Sequence, residues 1–209
     1  MASAPLTFPS AHKSNPAWEI AHLFPDQGHL SEGDYLSLTE NTQRLAEFND
    51  GRIEVLPMPT IEHQRIILFL VNLLGAFVNP RNLGEALMSP LRVRIGERQY
   101  REPDVVFLSQ AKSSAQGDRY WEGADLVMEV VSEDDPNRDL VDKRRDYAAC
   151  GILEYWIVDP RDRTITVLRL ESGEYVSHSQ AKGTGAVRSA LLDGFTADAA
   201  AVFAAGKRV

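Results

Sequence analysis

The run Leu126-Val127-Met128-Glu129-Val130-Val131 constrains this chain more than any other. Its apolar side chains fall on both faces of an extended segment, which predicts a central strand covered on either side. One carboxylate interrupts it. An ionised Glu129 in such a place loses on the order of several kcal/mol of solvation unless a cation or strong donors compensate. The position therefore predicts a partner for Glu129, the plainer reading being a salt bridge at a strand edge.

The other elements can be read around that strand. Leu45 to Val55 carries Asp50-Gly51 between two alternating stretches, the signature of a β-hairpin. Ser31 is placed to cap a short helix through Tyr35 and Leu38. From Glu62 to Val78 apolar residues appear nearly all round, which predicts a buried helix. Strand-like pieces follow at Leu91 to Ile95, Asp104 to Leu108, Leu126 to Val131, Tyr155 to Asp159 and Thr164 to Leu170. Together they suffice for one sheet. A charged helix, Asp139 to Ala149, crosses between two of them and ends at Gly151. Residues 197 to 205 read as a short terminal helix. The order predicts an α/β (α+β) fold, a mixed central sheet flanked by helices with an N-terminal hairpin. Residues 1–29, with four prolines and no apolar periodicity, read as a flexible arm, leaving 30–209 as one domain.

The chain carries 30 acidic and 22 basic residues, a formal charge of −8, which is the wrong sign for gripping nucleic acid by overall attraction. A nuclease that gathers carboxylates around a cation can still be acidic overall. Cys150 is the only cysteine, so internal disulfides and cysteine-based zinc clusters are excluded. No signal-peptide core is apparent, and the longest apolar run, Ile66 to Val71, is short for a bilayer. The expectation is a soluble cytoplasmic protein with no membrane partner.

Several residues carry candidate chemistry. Asp104 opens a strand straight after Pro103, and if that strand adjoins the one holding Glu129, two carboxylates meet at one end of the sheet, a setting suited to Mg²⁺. Alone, Asp104 reads equally as a capping residue. On a helical wheel Lys143 lies at the margin of the apolar arc and Arg144 nearer its centre, so either can reach an acidic partner. Glu47 and Glu54 stand opposite each other if Asp50-Gly51 is a two-residue turn. Like charges there demand a cation over that face, or a solvated hairpin in another register. His63 starts the long helix, where it can touch a phosphate or simply help begin the helix.

The runs Glu47-Phe48-Asn49-Asp50-Gly51, Met58 to His63, Arg101-Glu102-Pro103-Asp104-Val105-Val106, Glu129 to Ser132, Arg138-Asp139-Leu140 with Lys143, and Gly151 to Pro160 resemble the Uma-type restriction endonucleases in order and spacing. The resemblance covers roughly residues 30 to 205. That family is similar to the PD-(D/E)xK nucleases, which implies a restriction-endonuclease-like core and metal-dependent DNA hydrolysis. By that resemblance Asp104 and Glu129 are the two motif acids, and Glu47 is a further acid holding the metal with them. The usual lysine position, two residues after Glu129, is Val131. In Uma-type proteins the lysine comes instead from the following helix, which implies Lys143 rather than Arg144. His63 matches the helix-start histidine, and it and Arg144 remain candidates for substrate contact.

The implied activity is that of a Mg²⁺-dependent DNA endonuclease, with Mn²⁺ as a substitute. Homodimerisation would suit the cutting of two strands. The competing expectations are a non-catalytic module that binds nucleic acid or a protein partner on a nuclease fold, or a nuclease of RNA or branched DNA.

Overall fold

The computed structural model describes residues 27–40, 45–113 and 116–207. Most of the expected arm, residues 1–29, lies outside them, as do His12 and His22. Gln27 exchanges hydrogen bonds with the Ile53 backbone, and Gly28 N donates to the Gly51 carbonyl.

Helix α1 (Glu32–Glu40) starts where Ser31 and Asp34 cap each other reciprocally. Strands β1 (Ala46–Asn49) and β2 (Arg52–Val55) form the expected hairpin, with Glu47 opposite Glu54. Its turn has Asp50 at φ 42 and Gly51 at φ 83, the left-handed pair that a tight hairpin requires. A Cβ on Gly51 would lie 2.7 Å from the Gly28 carbonyl oxygen, so the close approach of that segment also requires glycine.

Helix α2 (Ile61–Val78) begins at Thr60, whose side chain accepts from His63 N. It buries Ile66, Ile67, Leu70, Leu74 and Val78 as one stripe against the sheet. The expectation of burial all round is corrected here, because Ile61 and Leu68 on the outer side are exposed. Only one side of the helix meets a packed layer among the described residues. By length and composition alone, Ile61–Arg81 would suffice to cross a bilayer.

The remaining strands are β3 (Gly84–Met88), β4 (Val93–Gly96), β5 (Gln99–Arg101), β6 (Val105–Ser109), β7 (Trp121–Glu122), β8 (Leu126–Val130), β9 (Glu154–Asp159), β10 (Thr164–Glu171), β11 (Glu174–Lys182), β12 (Ala186–Arg188) and β13 (Thr196–Asp198). They form two larger sheets rather than the single one expected. The six-stranded sheet has the order β11-β10-β9-β8-β6-β3 and the five-stranded one β2-β1-β5-β4-β7, while β12 and β13 pair separately. The segment from Leu91 leaves the large sheet because β4 doubles back on β5 through a tight turn with Arg98 at φ 57, and β5 then pairs with β1.

Strand β8 is central, antiparallel to β6 and parallel to β9. Residues 126, 128 and 130 pack under α2 and the C-terminal helix Ala199–Gly206, while 127 and 131 join the core on the opposite face. The second face is covered by a crossover helix that opens with a wide turn at Arg138–Asp142, where Lys143 N donates to Arg138 O, and continues through Lys143–Ala149. It ends before Gly151, at φ 80.

Candidate active site

The period-two alternation of β8 puts Glu129 on the side of the crossover helix and the smaller sheet. Asp104 falls on that same side with Val106 and Leu108. The register pairs Val105 with Met128, so Asp104 stands one step further, across from Glu129. The two strands adjoin, and the two acids meet at one end of the sheet. Asp104 Oδ2 accepts from Val130 N at 2.8 Å, and Asp104 N lies 3.4 Å from Glu129 Oε2.

Lys143 comes in from the crossover helix. Its Nζ is 3.0 Å from Glu129 Oε2, 3.1 Å from Asp139 Oδ1 and 3.8 Å from Glu47 Oε1. Burial works against its charge, but Glu129, Asp139 and Glu47 outweigh that and hold the ammonium well above the ordinary lysine range. Glu129 is pushed up to about 8, by burial first, with the charges of Asp104 and Asp139 adding to it against Lys143. Tyr147 donates its hydroxyl to Glu129 Oε1 at 2.5 Å. Asp139 also moves upward, for burial and for its nearness to Asp104. Carboxylates therefore outnumber the cations that touch them.

Glu47 stands behind this group. Arg101 Nη1 is 2.5 Å from its Oε2, and Glu102 N donates to its Oε1. Although burial would raise it, Arg101 and Lys143 hold the Glu47 carboxyl down at about 2. This meets the demand for a cation over the Glu47–Glu54 face. It also alters the expected role, since both Glu47 oxygens are already engaged by cations and a backbone amide. Arg101 spans from Glu47 to Asp146 on the crossover helix.

His63 Nε2 lies 2.8 Å from the Val130 carbonyl and 3.2 Å from Asp104 Oδ2. Burial disfavours its charged form, but the hydrogen bond and charge of Asp104 prevail and raise its pKa. Its Nδ1 is buried without a hydrogen-bond partner among the described residues. Arg144 goes elsewhere. It is exposed and donates to the Tyr175 carbonyl at 2.9 Å, outside the cavity that the other candidates share. The wheel left the two open because the wide turn at Arg138–Asp142 shifts the helix phase, and the structure carries Lys143 inward.

A cavity of about 450 Å³ opens at this end of the sheet, lined by His63, Asp104, Glu129, Arg138, Asp139 and Lys143 among others. Glu47 does not line it. The donors facing it are mainly carboxylate oxygens in excess of nearby cations, which suits a hard divalent cation such as Mg²⁺. Among the described residues no three His, Cys, Asp or Glu side chains stand together ready to hold a metal. Mg²⁺ commonly takes only one or two carboxylates and completes its shell with water and substrate phosphate, so the pair Asp104 and Glu129 fits it.

Sequence reading missed Arg101, Arg138, Asp139 and Tyr147 as parts of this arrangement. The i, i+4 spacing of Asp139 and Lys143 was the available signal. Arg101 had none, because its partners lie on separate elements.

The model of the Uma2 family, described as "Putative restriction endonuclease", matches residues 33–200. The chain belongs to the Uma2 family. Its fold is also that of a crystal structure described as a putative nuclease belonging to DUF820 from Anabaena variabilis, with a TM-score of 0.72 and 18% identity. That match covers 85% of this chain and 99% of the other. No curated protein matches the chain. Of the residues that the sequence resemblance singled out, the structure brings together Glu47, Asp104, Glu129 and Lys143, with His63 beside Asp104.

Proposed function

We propose that this Uma2 protein is a Mg²⁺-dependent endonuclease that hydrolyses phosphodiester bonds in DNA, with Mn²⁺ able to replace Mg²⁺. The observation that carries the reading is the meeting of Asp104 and Glu129 at one strand end with Lys143 3.0 Å from Glu129, all facing one cavity. Asp104 and Glu129 would hold the cation. When bound there it would supply Lewis acidity toward a phosphoryl oxygen and lower the pKa of an attacking water. Lys143 orients that water and offsets the negative charge that builds on the phosphate. Glu47 and Asp139 hold the ammonium in place, and Arg101 fixes Glu47. Tyr147 fixes the other oxygen of Glu129, so the carboxylate presents one oxygen to the cavity side. His63 positions Asp104 and stands where an incoming phosphate can meet it.

Plasmid nicking and cleavage of labelled single-stranded, duplex and branched DNA and RNA, with Mg²⁺ or Mn²⁺ against EDTA, test the reading. Asp104→Asn, Glu129→Gln and Lys143→Ala should each lower the rate by about a hundredfold or more. Full Mg²⁺-dependent cleavage by Asp104→Asn or Lys143→Ala, or cleavage unaffected by EDTA, would overturn it. A wild type that cuts only RNA would move the substrate from DNA to RNA and overturn that part alone.

A further inference from the structure

The wide turn at Arg138–Asp142 does more than deliver Lys143. On a regular helix, at about 100° per residue, side chains five apart point roughly 140° away from each other. Here the bond from Lys143 N to Arg138 O closes a wider ring, and Arg138, Asp139 and Lys143 are all buried on the inner side. Turns of this kind concentrate at functional sites.

Among the described residues, the Lys and Arg side chains lining the cavity are Arg138, Lys143 and Arg161. Arg161 is committed, forking onto Asp159 through Nε at 2.8 Å and Nη2 at 2.6 Å. Lys143 has two carboxylates within 3.1 Å. Arg138 differs from both. Its side chain is only 7% exposed, yet its nearest acids are Glu54 at 3.4 Å and Asp134 at 3.6 Å. Those two carboxylates are themselves 37% and 39% exposed, so water competes for them. A desolvated guanidinium with such loose partners has donors to spare, and its planar fork matches phosphate.

We propose that Arg138 is a substrate-binding residue that grips a backbone phosphate of the nucleic acid beside the scissile bond, displacing the loose contacts to Glu54 and Asp134. The assignment rests on the nuclease reading above. It extends that reading by placing the affinity for an anionic strand in a protein of charge −8 on one buried arginine at the cavity wall.

The plainer alternative is a strut, because Arg138 joins the hairpin through Glu54 to the crossover helix. Binding of fluorescein-labelled DNA in Ca²⁺, followed by anisotropy across a salt series, separates the two, together with cleavage kinetics in Mg²⁺. Arg138→Gln should bind about tenfold more weakly and lower the salt slope by about one, and Arg138→Lys should keep most of that slope. Glu54→Gln, which removes the strut from its other end, should bind DNA at least as tightly as wild type. Equal losses in Arg138→Gln and Glu54→Gln, or an unchanged salt slope in Arg138→Gln, would overturn the assignment while wild-type cleavage upholds the nuclease reading. A wild type that neither binds nor cuts any DNA in the panel would overturn both.

Discussion

Raising the pH in excess Mg²⁺ probes the pairing of Glu129 with a cation directly. The Glu129 carboxyl is pushed up from an ordinary 4.5 to about 8 in the folded protein, by burial and by Asp104 and Asp139. A carboxyl raised in this way favours the folded state below its ordinary value and loses that contribution as pH climbs through about 8. Any cation that Glu129 holds must first displace its proton. Between pH about 6 and pH about 8 the ionised fraction rises from about one in a hundred to about one half, so apparent Mg²⁺ affinity rises roughly fiftyfold, about 2 kcal/mol. Because a ligand that binds only the folded state stabilises it by mass action, the gain appears in the melting temperature. Thermal unfolding with Mg²⁺ against EDTA, at both pH values, should show a clearly larger Mg²⁺ increment at the higher pH. In Glu129→Gln the increment should be small at both. Equal increments at the two pH values, or a Glu129→Gln protein that tracks wild type, would refute the placement of the cation on this carboxylate.

Glu47 predicts the opposite limb: its pKa is depressed to about 2, so its stabilising contribution is present above about 4.5 and lost as pH falls toward 2. The unfolding free energy from urea titrations should fall across that window by about 3 kcal/mol in wild type, and by less in Glu47→Gln. Leu70 is fully buried on the inner face of α2, and Leu70→Ala should cost about 2–5 kcal/mol, read as a lower urea midpoint with an unchanged slope. Burial pushes the Cys150 thiol up to about 11, so alkylation of the native protein at neutral pH should be roughly a hundredfold slower than in denaturant.

Local pattern carried most of the element assignments, and it failed where phase or partnering depends on distant chain. Asp50-Gly51, the apolar helix from Glu62 to Val78, and the two-faced apolar run at Glu129 each have a short-range cause, and each stands where the sequence put it. Strand β4 did not, because which sheet it joins is decided by the turn to β5 and by β5 finding β1. Lys143 against Arg144 was undecidable on a wheel, since one wide turn a few residues earlier changes the phase of everything after it. Arg101 was invisible for a different reason. Its two carboxylates lie on a hairpin 54 positions earlier and a helix 45 positions later.

The displaced lysine can be understood from the core itself. Position 131 shares the face of Glu129, and it is where the sequence resemblance implies the usual lysine. In this chain Val131 is buried in the cluster that holds Val93, Leu108, Tyr147 and Tyr155. A lysine there would put its stem and charge among apolar and aromatic side chains, at a desolvation cost that the carboxylates at the strand end would have to repay from one residue pair away. The crossover helix packs on the same face through Tyr147, and its wide turn supplies the cation from a backbone that also brings Asp139 to hold it. Aromatic packing under the helix, Tyr147 on Tyr155 at 5.3 Å, then fixes the helix against the sheet. Once valine fills the core at 131, the cation beside Glu129 has to come from the helix, and the register of that helix becomes part of the site.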